Sequence, residues 1–269
     1  MIIFKSIKVL NNNVNFNNNI GFVPTMGALH EGHISLIKAS KRKCQKTIVS
    51  IFINKPQFNK KKDFKNYPRN INKDLKILRK LKVDYLLMPN EKDIYSSNKQ
   101  KKIKINKKDL IMCAKFRSGH YEGDLAVINQ FLIKIKPSVI FLGKKDFQQI
   151  YLIKKFISGK FKTKIVQCKT IRNKNGLPYS SRNVLLNKKN FQTAVNVSQI
   201  IKKFYSTLKL NFKKTKDIYL IKNKIINKNV KLEYLEIRNK LNLSKKINKK
   251  NFKIFIAYYI NGIRLIDNY

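Results

Sequence analysis

Acidic residues are scarce in this chain. Fourteen Asp and Glu stand against 60 Lys and Arg, a formal net charge of +46. An excess of that size suggests a polyanionic partner. However, the basic residues are nearly all lysine, form no single block, and travel with Asn and Ile from end to end. Gly and Pro are few and Trp is absent. Lys, Asn and Ile share A+T-rich codons, so compositional drift explains the charge better than a selected nucleic-acid surface does. No specific nucleic-acid partner is expected, although the field favours anionic small molecules. Cysteine is also sparse. Cys44, Cys113 and Cys168 are odd in number, far apart and without a C-x-x-C pair. That excludes a complete internal disulfide framework and makes a reducing, cytoplasmic setting the expectation. No apolar run reaches the ~18 residues of a membrane span. Met1 to Lys5 leads into Asn-rich sequence without the apolar core of a secretory signal.

Hydrophobic residues make up 43% of the 269, enough to build a core and to argue against a disordered basic tail. Ile20 to Val23 and Thr47 to Ile53 are β-branched runs that predict buried strands. Tyr85 to Met88, Val139 to Leu142 and Lys164 to Cys168 read likewise, with a minor strand at Ile103 to Ile105. Helices are predicted from Ile34 to Lys43, through Ile71, Leu75, Leu78 and Leu81, from Asp124 to Ile135, and from Phe147 to Ser158. Strands alternating with helices imply a parallel sheet covered on both faces. After about residue 170 the pattern changes. Helices over Phe191 to Leu208 and Asp217 to Ile226 precede strands at Leu232 to Ile237, Ile254 to Ile260 and Ile263 to Ile266. Asn261-Gly262 is a hairpin signal. The fold class expected is α/β, a Rossmann-like parallel-sheet domain over 1–170 followed by a smaller α+β domain over 171–269.

The richest segment is Pro24-Thr25-Met26-Gly27-Ala28-Leu29-His30-Glu31-Gly32-His33, between the first strand and first helix. Ligands of open α/β sheets sit at the carboxyl ends of strands, and a helix N-terminus there offers N–H groups to phosphate. Gly27 and Gly32 let backbone approach a ligand. His30 and His33 are two of only three histidines in the chain and add two donors. A zinc-protease reading fails, because His-Glu-Gly-His lacks the H-E-x-x-H spacing that puts two ligands on one helical face.

H-x-G-H after a first strand resembles the nucleotidyltransferase superfamily. The longer string is similar to the pantothenate synthetase (pantoate–β-alanine ligase) family. Val49 to Phe58 (VSIFINKPQF), Tyr67-Pro68-Arg69, Gly119 to Gly123 (GHYEG), Phe141 to Gln149 (FLGKKDFQQ), Arg172 to Asn183 (RNKNGLPYSSRN) and Arg264 to Asn268 continue the likeness along nearly the whole chain.

The resemblance implies an ATP-dependent carbon–nitrogen ligase that adenylates pantoate and passes the acyl group to β-alanine. It implies ATP contacts from Met26 to His33, from Gly143, Lys144, Lys145 and Asp146, and from Ile171, Tyr179, Ser180, Ser181 and Arg182. His33, His30 and Lys145 would be catalytic. Gln57 and Gln149 would bind pantoate with Asn54 beside them. Asp74 would hold Mg2+ or its water; read by itself, a lone carboxylate on a helix is a surface residue. A homodimer is implied too. Asp146 and Asp124 could each cap the helix that follows. The chain departs from the family pattern at Lys55, Lys144, Asn175, Pro178, Tyr179 and Asp124, none of which removes a residue with an assigned role. The rival class is a nucleic-acid-binding protein related to a tRNA synthetase fragment. It lacks an anticodon-binding extension and an aromatic–basic recognition motif.

Overall fold

The computed structural model describes residues 1–16, 19–95 and 103–269. The chain divides into two compact units, Met1–Thr170 and Ile171–Tyr269.

The first unit holds strands β1 (Ile2–Phe4), β2 (Ile20–Thr25), β3 (Lys46–Ile51), β4 (Tyr85–Leu87), β5 (Val139–Gly143) and β6 (Lys164–Cys168). Its helices are α1 (Ile7–Asn13), α2 (Glu31–Lys43), α3 (Lys61–Lys65), α4 (Ile71–Lys80), α5 (Glu91–Ile94), α6 (Cys113–Phe116), α7 (His120–Ile135) and α8 (Phe147–Ile157). All strand pairs are parallel, in the order β1-β4-β3-β2-β5-β6. The chain runs outward from β2 through β3 to β4, then returns to the other side of β2 with β5. The β2–β5 boundary is therefore where strand order reverses, the place where ligands of open α/β sheets bind.

The central strands read as near-continuous apolar runs because both faces are covered. Val23, Val49 and Leu86 pack with Leu36, Ile37 and Leu78 on one face. Phe22, one residue out of phase with Val23, meets Phe131 of α7 at 5.1 Å between ring centroids on the other.

The second unit carries α9 (Lys188–Leu210), α10 (Ile218–Ile226) and an antiparallel sheet of β7 (Lys231–Asn239), β8 (Phe252–Ile260) and β9 (Ile263–Asn268). Asn261 (φ +47°) and Gly262 (φ +77°) make the expected β8–β9 turn. Ala194, Ile201 and Phe204 of α9 pack with Ile254, Ile256 and Tyr258 of β8. The Arg172 guanidinium clasps Asp267 at 2.7 and 2.8 Å and lies 4.1 Å over the Tyr269 ring. This joins the first and last segments of the unit.

Three sequence expectations need correction, and two elements went unread. Ile103 to Ile105 forms no strand. Its side chains alternate between half-buried and exposed, but no strand among the described residues pairs with it, and alternation alone does not supply a ladder. Strand β1 and helix α1 were not anticipated, because three edge residues and a seven-residue helix give too short a periodic signal. Helix α7 begins at His120, after Gly119 (φ +77°), so Asp124 lies inside it and is no cap. Asp146 likewise makes no capping bond to α8; it pairs with Lys145 at 3.5 Å.

Candidate active site

Strand β2 ends in a loop whose shape is held from below. Thr25 Oγ1 donates to Ser50 O (2.7 Å) and accepts from Gly27 N (3.1 Å). Gly27 (φ +76°) and Ala28 (φ +50°) both take the left-handed conformation. That is easy for glycine, but a non-glycine residue in this region costs ~1–2 kcal/mol. The compensation comes from α4. Asp74 is buried, and its two carboxylate oxygens accept Ala28 N (2.8 Å) and Leu29 N (2.7 Å). Burial raises the Asp74 pKa, and the amide bonds from Leu29 and Ala28 oppose the rise.

The bend delivers His30 as the N-cap of α2, with Nδ1 accepting from Gly32 N at 3.1 Å. An accepting Nδ1 carries no proton, so the imidazole proton sits on Nε2. His33 stacks on His30, ring centroids 4.0 Å apart. Its buried Nδ1 has no hydrogen-bond partner, so no contact to that nitrogen fixes the tautomer. Burial depresses the His30 pKa to about 2, with His33 and Lys145 adding to the effect. Burial depresses His33 to about 4, opposed by Asp146 and assisted by Lys145. At neutral pH both rings are therefore uncharged single donors. Lys145 and Asp146 follow β5, the strand beside β2, so the two loops flank the switch point together.

A second cluster lies on the turn after β3 and on helices α7 and α8. Asn54 is buried and has its amide fully engaged. Its Nδ2 donates to Gln57 Oε1 (3.0 Å) and Gly123 O (2.9 Å), while Oδ1 accepts from Tyr95 (2.6 Å). Gln57 Nε2 reaches Met26 Sδ at 3.2 Å, tying this cluster to the histidine loop. His120 Nδ1 bonds Gln57 O and its Nε2 bonds Arg117, each at 2.6 Å. The carbonyl can only accept and the guanidinium only donate, so the tautomer is fixed. Gln149 Nε2 donates to Asp124 Oδ1 at 2.8 Å. Gln148 faces the other way and serves Cys113 N and Ile111 O.

In the second unit Tyr179 N donates to Ile171 O at 3.0 Å, closing a turn around Gly176 (φ +89°). Ser180 caps the turn that begins at Ser181 by accepting from Arg182 N, with Asn183 reciprocating.

The pantoate-beta-alanine ligase family profile matches residues 3–269. A pantothenate synthetase of Francisella philomiragia is 40% identical over 274 residues, covering all of this chain and 97% of its own length. A second, from Francisella tularensis subsp. mediasiatica, is 41% identical over 255 residues, 93% of this chain and 88% of its own. The chain belongs to the pantoate–β-alanine ligase family. A crystal structure of the Francisella tularensis ligase, complexed with beta-gamma ATP and beta-alanine, superposes with a TM-score of 0.87. It is 38% identical and is matched over 100% of this chain and 97% of its own. The Thermus thermophilus enzyme, at 24% identity and a TM-score of 0.90, shares the fold over 100% of this chain and 99% of its own.

Against the family expectation, the structure brings together the histidine loop, Lys145, Asp146, Gln57 and Gln149, all in the first unit. It gives Asn54 a scaffolding position, because both amide hydrogens are spent inside the protein. Asp74 is buried rather than at the surface, and each of its oxygens accepts a loop amide. Among the described residues no three His, Cys, Asp or Glu side chains converge as a metal cage. Magnesium needs no such cage, since one or two carboxylates, ATP phosphates and water can complete its shell. Sequence reasoning missed His120, Tyr95 and the bracing role of Asp74. Only the GHYEG string signalled the first of these. Among the described residues no helix is long and apolar enough to cross a membrane.

Proposed function

We propose that this ligase condenses (R)-pantoate with β-alanine, using ATP and passing through a pantoyl adenylate. The observation that carries the reading is the pair of uncharged imidazoles on a braced loop beside Lys145 at the sheet's switch point. Neutral N–H donors can meet charge growing on phosphate oxygens without holding the attacking carboxylate in an ion pair. In the first step a pantoate carboxylate oxygen bonds to the α-phosphorus, the bond from phosphorus to the bridging oxygen breaks, and pyrophosphate leaves. No base is needed because the acid is already ionised. His30, His33 and Lys145 steady the phosphate oxygens. In the second step the neutral amine of β-alanine attacks the acyl carbon, AMP leaves with the bonding pair, and the nitrogen loses a proton.

Met26 to His33 and Gly143 to Asp146 form the nucleotide side of the proposed site. Family likeness adds Ile171, Tyr179, Ser180, Ser181 and Arg182. Gln57 and Gln149 take pantoate, with Asn54 holding Gln57 in place. The ATP and β-alanine bound by the Francisella tularensis relative support the substrate assignment. A cytosolic homodimer completes the proposal, and sedimentation of the purified protein tests the dimer.

The deciding experiment is pantoate-dependent exchange of labelled pyrophosphate into ATP without β-alanine, followed by β-alanine-dependent AMP release. His33→Ala is expected to slow the exchange ~10²–10⁴-fold, the scale of one positioned donor, with its thermal midpoint unchanged. Exchange that ignores pantoate defeats the ligase reading. A wild-type rate in the variant defeats the role of His33.

A further inference from the structure

Asp124 is a carboxyl group buried inside helix α7, only 4% exposed. One oxygen, Oδ1, accepts the Gln149 amide at 2.8 Å. The other, Oδ2, is fully buried and has no hydrogen-bond partner. Leaving such an oxygen unmet costs ~1–3 kcal/mol, so a folded protein that keeps one is strained there, holds a water or ion against it, or has a ligand group to meet it. The surroundings favour a ligand. Gly123, the preceding residue, receives Asn54 Nδ2, which also holds Gln57. Asp124 thus sits between the two glutamines assigned to the hydroxy acid. Gln149 spends one N–H on Asp124, which leaves its carbonyl oxygen and its second N–H to meet a ligand.

We propose that Asp124 determines acyl-substrate specificity, orienting Gln149 through Oδ1 and offering Oδ2 to a hydroxyl group of the hydroxy acid. The inference rests on the ligase reading above. A hydroxyl suits the position better than the ammonium of β-alanine. Burial pushes the Asp124 pKa up to about 7, helped by Asp146 and opposed by the Gln149 bond and by Arg117. Tyr95 also couples to it. A carboxyl that is part-neutral near pH 7 makes a weak counter-ion. It is a good hydrogen-bond partner for a hydroxyl, and it repels the substrate carboxylate less than a full charge would.

The test uses pantoate-dependent exchange without β-alanine, on the full chain. It compares pantoate with the analogue lacking the α-hydroxyl and the analogue lacking the terminal hydroxyl. Asp124→Val is expected to raise the KM for pantoate ~10-fold or more while the KM for ATP moves less than about twofold. It should also lower discrimination against one of the two analogues by ~10-fold, because a site that pairs a hydroxyl rejects its absence. An unchanged pantoate KM, equal changes for both analogues, or an effect seen only in the KM for β-alanine overturns the proposal. Asp124→Asn keeps the shape and provides a second reading should valine unsettle the fold. The wild type is expected to change its pantoate KM across about pH 6 to 8 and Asp124→Asn to flatten that change, and a wild-type profile already flat there overturns the proposal. No exchange in the unmodified protein would remove the ligase reading itself, a result distinct from any of these.

Discussion

At the scale of single residues, the site uses carboxylates in ways their sequence positions conceal. Asp74 stands 46 and 45 residues from the amides it receives, and nothing local on α4 marks it. It makes the left-handed Ala28 tenable and so fixes where His30 and His33 point. Removing it leaves two loop N–H groups without acceptors, each costing ~1–3 kcal/mol where buried. Asp74→Ala is therefore expected to lower the adenylation rate ~10-fold or more and to destabilise the first unit, while Asp74→Asn, which keeps one acceptor, loses less. A magnesium titration separates this role from metal binding. Loss through a distorted loop persists at saturating magnesium. Recovery of the Asp74→Ala rate at high magnesium would return the residue to an ion-binding role.

At the scale of elements, one close approach organises the glutamine cluster. Helix α7 runs so near the turn after β3 that a Cβ on Gly123 would lie 2.6 Å from Pro56 C and 2.7 Å from Gln57 N. Both are backbone atoms, so the turn itself would have to move. Gly123→Ala is expected to cost ~1–3 kcal/mol through overpacking and to raise the KM for pantoate more than that for ATP, because Gln57 rides on the displaced turn. Paired thermal melts and initial rates check this, and an unchanged melt with unchanged KM values would mean that the turn yields freely. The same elements explain what was legible beforehand. Strands β2, β3 and β5 announce themselves because central parallel strands are apolar on both faces. The histidine loop is legible because its glycines and histidines fall between a strand and a helix. Strand β1 is hidden by its brevity. Gly123-Asp124 reads as a helix start, yet the helix begins earlier at His120. The Gln149–Asp124 pair joins residues 25 apart on different helices, and a single sequence has no means of stating that contact.

At the scale of the whole molecule, the charge of +46 is the property with the widest consequence. No lysine among the described residues is buried, and lysines occur on helices, strands and turns of both units. Spread lysines raise the local concentration of any polyanion, including ATP, and the attraction weakens as salt shortens the Debye length from ~10 Å at 0.1 M. Specific nucleic-acid recognition requires more, namely groups that read or stack on bases gathered beside the cations. The fold spends its distinctive residues elsewhere, on the histidine loop and the glutamine cluster. The expected outcome is RNA binding that ignores sequence, falls steeply as salt rises from low to physiological, and leaves pantothenate formation unchanged after nuclease treatment. Titration of the purified protein with unrelated RNA sequences at two salt concentrations, beside a ligase assay with and without nuclease, measures all three. Tight, sequence-selective binding at physiological salt, or activity lost with the nucleic acid, would show that the lysines serve a polynucleotide partner and would overturn the compositional account.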